Sequence, residues 1–163
     1  MIKHKVYVIC RLGEGTRKSL GIIKQAVCTA LWAENVDVPC EVCVSITDDN
    51  GIHALNREYR EVDRPTDVLS FPLFELTPGK FSVCDTDLDP ETGRLALGDI
   101  VISAERARAQ AEEYGNTQAR EMAYLAVHSV LHLLGYDHID EGAEKMRMRA
   151  REEYILDKMG LSR

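Results

Sequence analysis

The feature that most constrains this chain is the run His128-Ser129-Val130-Leu131-His132-Leu133-Leu134-Gly135-Tyr136-Asp137-His138, which gathers three of the five histidines into one short segment. Its apolar residues predict a helix, and on a helix positions 128 and 132 stand one turn apart on the same face. Gly135 supplies the positive φ that ends a helix and lets the chain double back. That turn brings His138 to the point His128 and His132 already face.

Three imidazoles converging on one point make a metal site. Neutral ring nitrogens at about 2.0–2.1 Å suit zinc, and three protein ligands leave a fourth position for water, the pattern of catalytic sites. Zinc lowers the pKa of bound water to about 7, which makes hydroxide available near neutral pH. Iron and nickel also accept imidazole, so zinc is chosen for its redox-inert acid chemistry. The expectation is one Zn2+ ion held by His128, His132 and His138 and used for hydrolysis. A structural zinc site is the rival; it needs a fourth protein ligand, for which Cys84 and Asp137 are available. His4 and His53 stand apart and receive no metal role.

A chain of 163 residues, 45% of them apolar, has the size of one domain with one core. Lys5 to Arg11 and Glu41 to Thr47 alternate as strands do, the second through Val42, Val44 and Ile46. Between them, Thr16 to about Asn35 carries Leu20, Ile23, Val27, Ala30 and Leu31 at helical spacing, with Thr16 or Ser19 as cap. Asp48-Asp49-Asn50-Gly51 reads as a turn and Ile52 to Tyr59 as a helix, broken at Asp63-Arg64-Pro65-Thr66. Val68 to Phe71 is a third strand, residues 74–94 a long loop or irregular hairpin, and Leu97 to Ser103 a fourth strand. Ser103 caps a helix from Ala104 to about Tyr114, and Thr117 begins the next, which runs to Leu134. A final helix, Asp140 to Met159, places Met146, Ala150, Tyr154 and Ile155 on one face.

Charge and cysteine usage narrow the function classes. A formal net charge of −7 argues against indiscriminate polyanion binding while leaving room for a local basic groove. The acids Asp85, Asp87, Asp89 and Glu91 fall in one stretch and confine part of that charge to a loop. Five scattered cysteines do not form a disulfide framework. Cys40 and Cys43 lie on a strand, which points their thiols to opposite faces and makes them poor partners for one ion. With no apolar signal core and no membrane-length apolar run, the expected location is the cytoplasm and no membrane partner is expected.

The spacing H-x-x-x-H-x-x-G-x-x-H is also that of the metzincin peptidases, in which a glutamate follows the first histidine and serves as general base. Ser129 occupies that position here, and a hydroxyl cannot take a proton from metal-bound water near neutral pH. A zinc peptidase therefore lacks its base, although it stays as an alternative.

Two motifs now carry a family resemblance. One is Asn56-x-x-Tyr59-Arg60-x-x-Asp63-x-Pro65-Thr66-Asp67-Val68-Leu69-Ser70-Phe71-Pro72, the other the histidine segment, and Leu97-Gly98-Asp99-Ile100 joins them. With them the chain resembles the YbeY family of metal-dependent endoribonucleases, also described as ribosomal RNA maturation factors, over nearly its full length. The resemblance implies a single α+β domain spanning 1–163: a small mixed four-stranded sheet, about five helices, and metal ligands on and just after a C-terminal helix. It implies cleavage of single-stranded RNA, ribosomal RNA processing including 16S rRNA 3′-end maturation, ribosome quality control, and the ribosome or its proteins as partners. By position, His128, His132 and His138 match the family's metal ligands and Arg60 its functional arginine. Ser129 departs from the glycine usual in the family without touching a ligand.

The residues fit that chemistry. Phosphodiester cleavage develops negative charge on phosphoryl oxygens, which zinc and a guanidinium both stabilise. Arg60 is the candidate guanidinium, its planar fork able to hold two phosphate oxygens, with His128 beside it in the catalytic set. Arg57 and Arg64 flank Arg60 and extend a phosphate-tracking strip. Aromatics at 6% leave little for base stacking. Arg147, Arg149 and Arg151 fan around a helix and are expected to be solvated. Glu121 and Asp137 are candidates to orient an imidazole from behind, with Asp67 and Asp99 as further possibilities. The remaining alternative is a non-catalytic ribosome-associated module whose zinc ties the last two helices together.

Overall fold

In the computed structural model, which describes residues 1–12, 19–137 and 142–162, the centre of the sheet is set by the alternation at residues 40–47. Strand β2 (Cys40–Thr47) buries Cys40, Val42, Val44 and Ile46 on one face and turns Glu41, Cys43, Ser45 and Thr47 to the other. It pairs in parallel with β1 (Lys5–Cys10) on one side and with β4 (Leu95–Ser103) on the other. Strand β3 (Val68–Pro72) runs antiparallel to β4 and forms the edge, giving a mixed sheet of order β1-β2-β4-β3. A parallel neighbour needs a crossover, and α1 (Leu20–Ala33) supplies it between β1 and β2.

The two sheet faces are covered differently. On one, α1 and α4 (Gln118–Leu133) build the main core, with Ile23, Val27 and Leu31 of α1 and Leu125, Val130 and Leu131 of α4 packed with Val42, Val44, Ile100 and Ile102. On the other, α2 (Asp49–Arg60) closes a small cluster of Ile52, Leu69 and Val101, against which Leu55 and Phe71 pack. Helices α3 (Ala104–Tyr114) and α5 (Ala143–Lys158) lean on α4, which is thereby enclosed by sheet and helices together. Among the described residues this is the expected α+β arrangement, a four-stranded mixed sheet and five helices. No helix among the described residues is long and apolar enough to cross a membrane.

Caps fall where hydroxyl and carboxylate side chains predict them. Ser103 accepts from the Arg106 amide at 3.2 Å and Thr117 from the Arg120 amide at 3.1 Å. Ser19 stands at the N-cap position of α1 but makes no side-chain cap hydrogen bond, and Thr16, its alternative, lies outside the described residues.

Two expectations are corrected. Asp48-Asp49-Asn50-Gly51 is not a free turn: Asp48 accepts from the Gly51 amide at 2.8 Å and starts α2 three residues before Ile52. Asp, Asn and Gly favour turns and helix starts alike, so composition alone could not separate the two. The inner face of α5 is Met148, Glu152, Ile155 and Leu156, while Met146 is 72% and Tyr154 45% exposed and Ala150 is also on the outside. A glutamate on the buried stripe misled the apolar count, and its partner explains why it is there.

Candidate metal centre

From Arg120 to Leu134, α4 and its last turn are buried except at Tyr124, His128 and His132. These three stand four residues apart and form one half-exposed stripe along an otherwise enclosed helix. The Nε2 atoms of His128 and His132 face each other at 3.1 Å. Each ring is held from behind at its other nitrogen. His128 Nδ1 lies 2.9 Å from Glu152 Oε2 of α5, and His132 Nδ1 lies 2.9 Å from the backbone carbonyl of Tyr136.

Those partners set the tautomers. A carbonyl oxygen and a carboxylate only accept, so both Nδ1 atoms carry the hydrogen and Nε2 is the lone-pair nitrogen of each neutral ring. Two lone pairs 3.1 Å apart repel unless a cation or a proton lies between them. Two ligands about 2.05 Å from one tetrahedral ion would stand about 3.3 Å apart, close to this separation. The pair therefore fits a metal ion. His138, the third expected ligand, lies outside the described residues, and no group of three metal-ligating side chains occurs among those that are described.

Gly135 makes the rear support of His132 possible. Helix α4 ends at Leu133, Gly135 takes φ +100°, and a Cβ there would collide with the Leu76 carbonyl. The reversal donates the Gly135 amide to the His132 carbonyl at 3.0 Å and the Tyr136 amide to the Leu131 carbonyl at 3.0 Å. It thereby points the Tyr136 carbonyl at the His132 ring.

A cleft of about 820 Å³ opens beside His128, lined among others by Asp67, Gln110, Tyr124, Arg149 and Glu152. The Tyr124 hydroxyl is pushed well above its usual range by burial, then by the charge of Glu152 and a hydrogen bond to it. Glu152 itself is 5% exposed. Glu152 and His128 thus link α5 to α4, with the Tyr124 ring 5.9 Å from the His128 ring.

The remaining sequence-predicted residues take definite places. Glu121 turns its carboxylate to Asn116 Nδ2 at 2.9 Å and Arg120 at 3.4 Å, so the carboxylate behind His128 is Glu152 instead. Asp137 is half-buried at the last described position before His138. Asp67 pins the start of β3, accepting from the Val68 amide at 2.8 Å and from Gln110 Nε2 at 3.1 Å. Asp99 is exposed on the sheet face that Cys43 shares, where burial first and Asp99 second raise the Cys43 thiol. Cys84 is exposed beside a short 3-10 turn at Asp85–Asp87.

Ser129 is wholly buried and its hydroxyl accepts from Ser70 Oγ of β3 at 2.9 Å. It faces the sheet while His128 faces the cleft, so the position that holds a base in metzincins is turned away from the histidine pair.

Arg57, Arg60 and Arg64 are all exposed, and among the described residues none of the three guanidinium groups makes an ion pair. Arg57 and Arg60 share one side of the last turn of α2, and the Arg64 carbonyl is fixed by Asn56 Nδ2 at 2.9 Å. The edge strand β3 separates them from the histidines, with Leu69 and Phe71 toward α2 and Ser70 toward α4. Arg147, Arg149 and Arg151 do fan out, but two of them are docked. Arg147 donates to the Pro78 carbonyl at 3.0 Å, and Arg151 pairs with Glu34 at 2.8 Å.

Sequence reasoning missed Glu152, Tyr124 and the Tyr136 carbonyl. The available signal was an acid at the core-facing position of α5, four residues from Met148 and three and four from Ile155 and Leu156.

Fold and site define an α+β domain whose central helix carries a histidine pair with both rings anchored from behind. The chain belongs to the YbeY endoribonuclease family, hydrolases that cut RNA internally: the family model described as Endoribonuclease YbeY matches residues 14–160. It is 46% identical over 147 residues to the endoribonuclease YbeY of Agathobacter rectalis, covering 87% of this chain and 88% of that one. With the endoribonuclease YbeY of Chloroflexus aurantiacus the identity is 47% over 159 residues, covering 97% and 99%. The solution structure of TM1509 from Thermotoga maritima superposes with a TM-score of 0.57 at 27% identity, over 94% of this chain and 91% of that one.

Proposed function

We propose that this protein is a zinc-dependent, single-strand-specific endoribonuclease that processes ribosomal RNA, including 16S rRNA 3′-end maturation, and contributes to ribosome quality control in the cytoplasm. The observation that carries the metal part is the convergence of the His128 and His132 Nε2 atoms at 3.1 Å, with both Nδ1 atoms engaged elsewhere. Family membership supports the RNA part.

In this reading His128, His132 and His138 hold one zinc ion, which when bound supplies Lewis-acid stabilisation of phosphoryl charge and an acidified water. The chain's own residues do the rest. Glu152 and the Tyr136 carbonyl keep both rings in the tautomer that presents Nε2. Arg60 holds non-bridging oxygens of the phosphodiester, and Arg57 and Arg64 track the neighbouring phosphates.

Purified protein, freed of contaminating nuclease, is expected to cut single-stranded RNA, and His128→Ala to lose that cleavage. Identical residual activity in wild type and His128→Ala would remove the catalytic assignment. Retained zinc and a stabilised fold without any cleavage in wild type would favour a non-catalytic ribosome-associated module.

A further inference from the structure

We propose that Glu152 is a positioning residue of the histidine centre. The inference deepens the zinc-dependent reading and rests on it. Glu152 lies on α5, is 5% exposed, and places Oε2 2.9 Å from His128 Nδ1. Burying a carboxylate among Met148, Ile155 and Leu156 is costly unless it is hydrogen-bonded, and the His128 ring offsets that cost.

The arrangement makes the two histidines chemically unequal. His132 is backed by a neutral carbonyl of its own turn, at 2.9 Å, whereas His128 is backed by a carboxylate from another helix. A carboxylate behind an imidazole fixes the Nδ1–H tautomer, aims Nε2, and makes that nitrogen the stronger electron donor. Tyr124 stands one helical turn before His128 on the same face of α4. Its ring also lies 5.9 Å from the His128 ring, so it limits the ring's swing. Glu152 thereby couples the packing of α5 to the aim of His128.

The test uses the full chain, stripped of metal, and zinc alone as probe. Affinity is measured by competition with a chromophoric chelator for wild type, Glu152→Gln, Glu152→Ala and Glu153→Gln. Ring nitrogens of His128 are read in parallel by 15N NMR at one pH, and thermal melts of the metal-free proteins confirm folding. Expected is a loss of about 10–100-fold in zinc affinity for both Glu152 variants and wild-type affinity for Glu153→Gln. Glu152→Ala is expected to mix the His128 tautomers, while Glu152→Gln, whose amide oxygen still accepts, keeps Nδ1–H. The isosteric Gln variant keeps the test decisive if Ala fails to fold. Zinc affinity within threefold of wild type for Glu152→Gln, or a tautomer unchanged in a folded Glu152→Ala, overturns the assignment. Wild type that takes up no zinc defeats the metal reading itself and with it the role Glu152 serves, an outcome distinct from failure of positioning alone.

Discussion

Ser129 accepts a hydrogen bond from Ser70 at 2.9 Å, a contact that ties α4 to β3 directly beside His128 and on the opposite side of the helix from the cleft. This orientation separates the centre from the peptidases that share its histidine spacing. A base must reach the metal-bound water, and residue 129 faces the sheet.

Ser129→Ala is accordingly expected to lower unfolding free energy by about 1 kcal/mol through the lost hydrogen bond, with RNA cleavage within about twofold of wild type. Ser129→Glu buries a charge with no partner and should fold poorly without gaining peptidase activity. Urea denaturation and a casein digest measure both. A folded, casein-cleaving Ser129→Glu protein would contradict the orientation described here.

Gly135→Ala is expected to destabilise the chain by at least about 2 kcal/mol, since the left-handed backbone costs about 1–2 kcal/mol and the added Cβ meets the Leu76 carbonyl. Zinc affinity should fall with it, because the same turn places the Tyr136 carbonyl on His132. Denaturant melts and metal titration on one sample show whether the two losses travel together. Unaltered zinc affinity in a destabilised variant would detach the turn from the centre.

Much of the site was legible because its signals are local. A spacing of four fixes two rings on one helix face, and a glycine after the last apolar residue marks the stop. Glu152 was not legible in the same way. Its partner is 24 residues away, and a helix read alone treats a glutamate as solvent-facing. Arg151 failed for a similar reason, since Glu34 lies 117 residues before it. The Ser129 hydroxyl could be seen to be a poor base, but its burial against Ser70 depended on how β3 pairs with β4.

Arg60→Ala is expected to cut the cleavage rate by about a hundredfold with zinc content unchanged, the loss typical of one donor to developing charge. Arg60→Lys should recover only part of it, because a point charge replaces a planar fork. Single-turnover cleavage with metal analysis on the same protein distinguishes phosphate handling from metal binding. Full activity in Arg60→Ala would remove it from the active set.

Acid should destabilise the fold partly through His4. Burial lowers the pKa of this ring, and its Nδ1 accepts the Cys40 amide at 3.1 Å, which a protonated ring cannot do. The unfolded chain thus binds the proton more readily, so the contribution is present above the ordinary value of 6.5 and is lost as pH falls through the lowered folded value. His4→Gln keeps an acceptor without titrating. Its melting temperature should fall less than that of wild type between pH 7.5 and 5, and an equal fall in the two proteins would show that His4 contributes nothing to the acid limb.

In the zinc-dependent reading, the histidine centre holds the ion on which RNA cleavage depends. Single-stranded RNA cleavage followed while zinc is stripped by chelator and then returned in steps tests it most directly. Activity is expected to vanish on stripping and to return in proportion to bound zinc, saturating at one ion per chain, and His132→Ala to recover neither zinc nor activity. Cleavage that persists undiminished in fully stripped protein would contradict it.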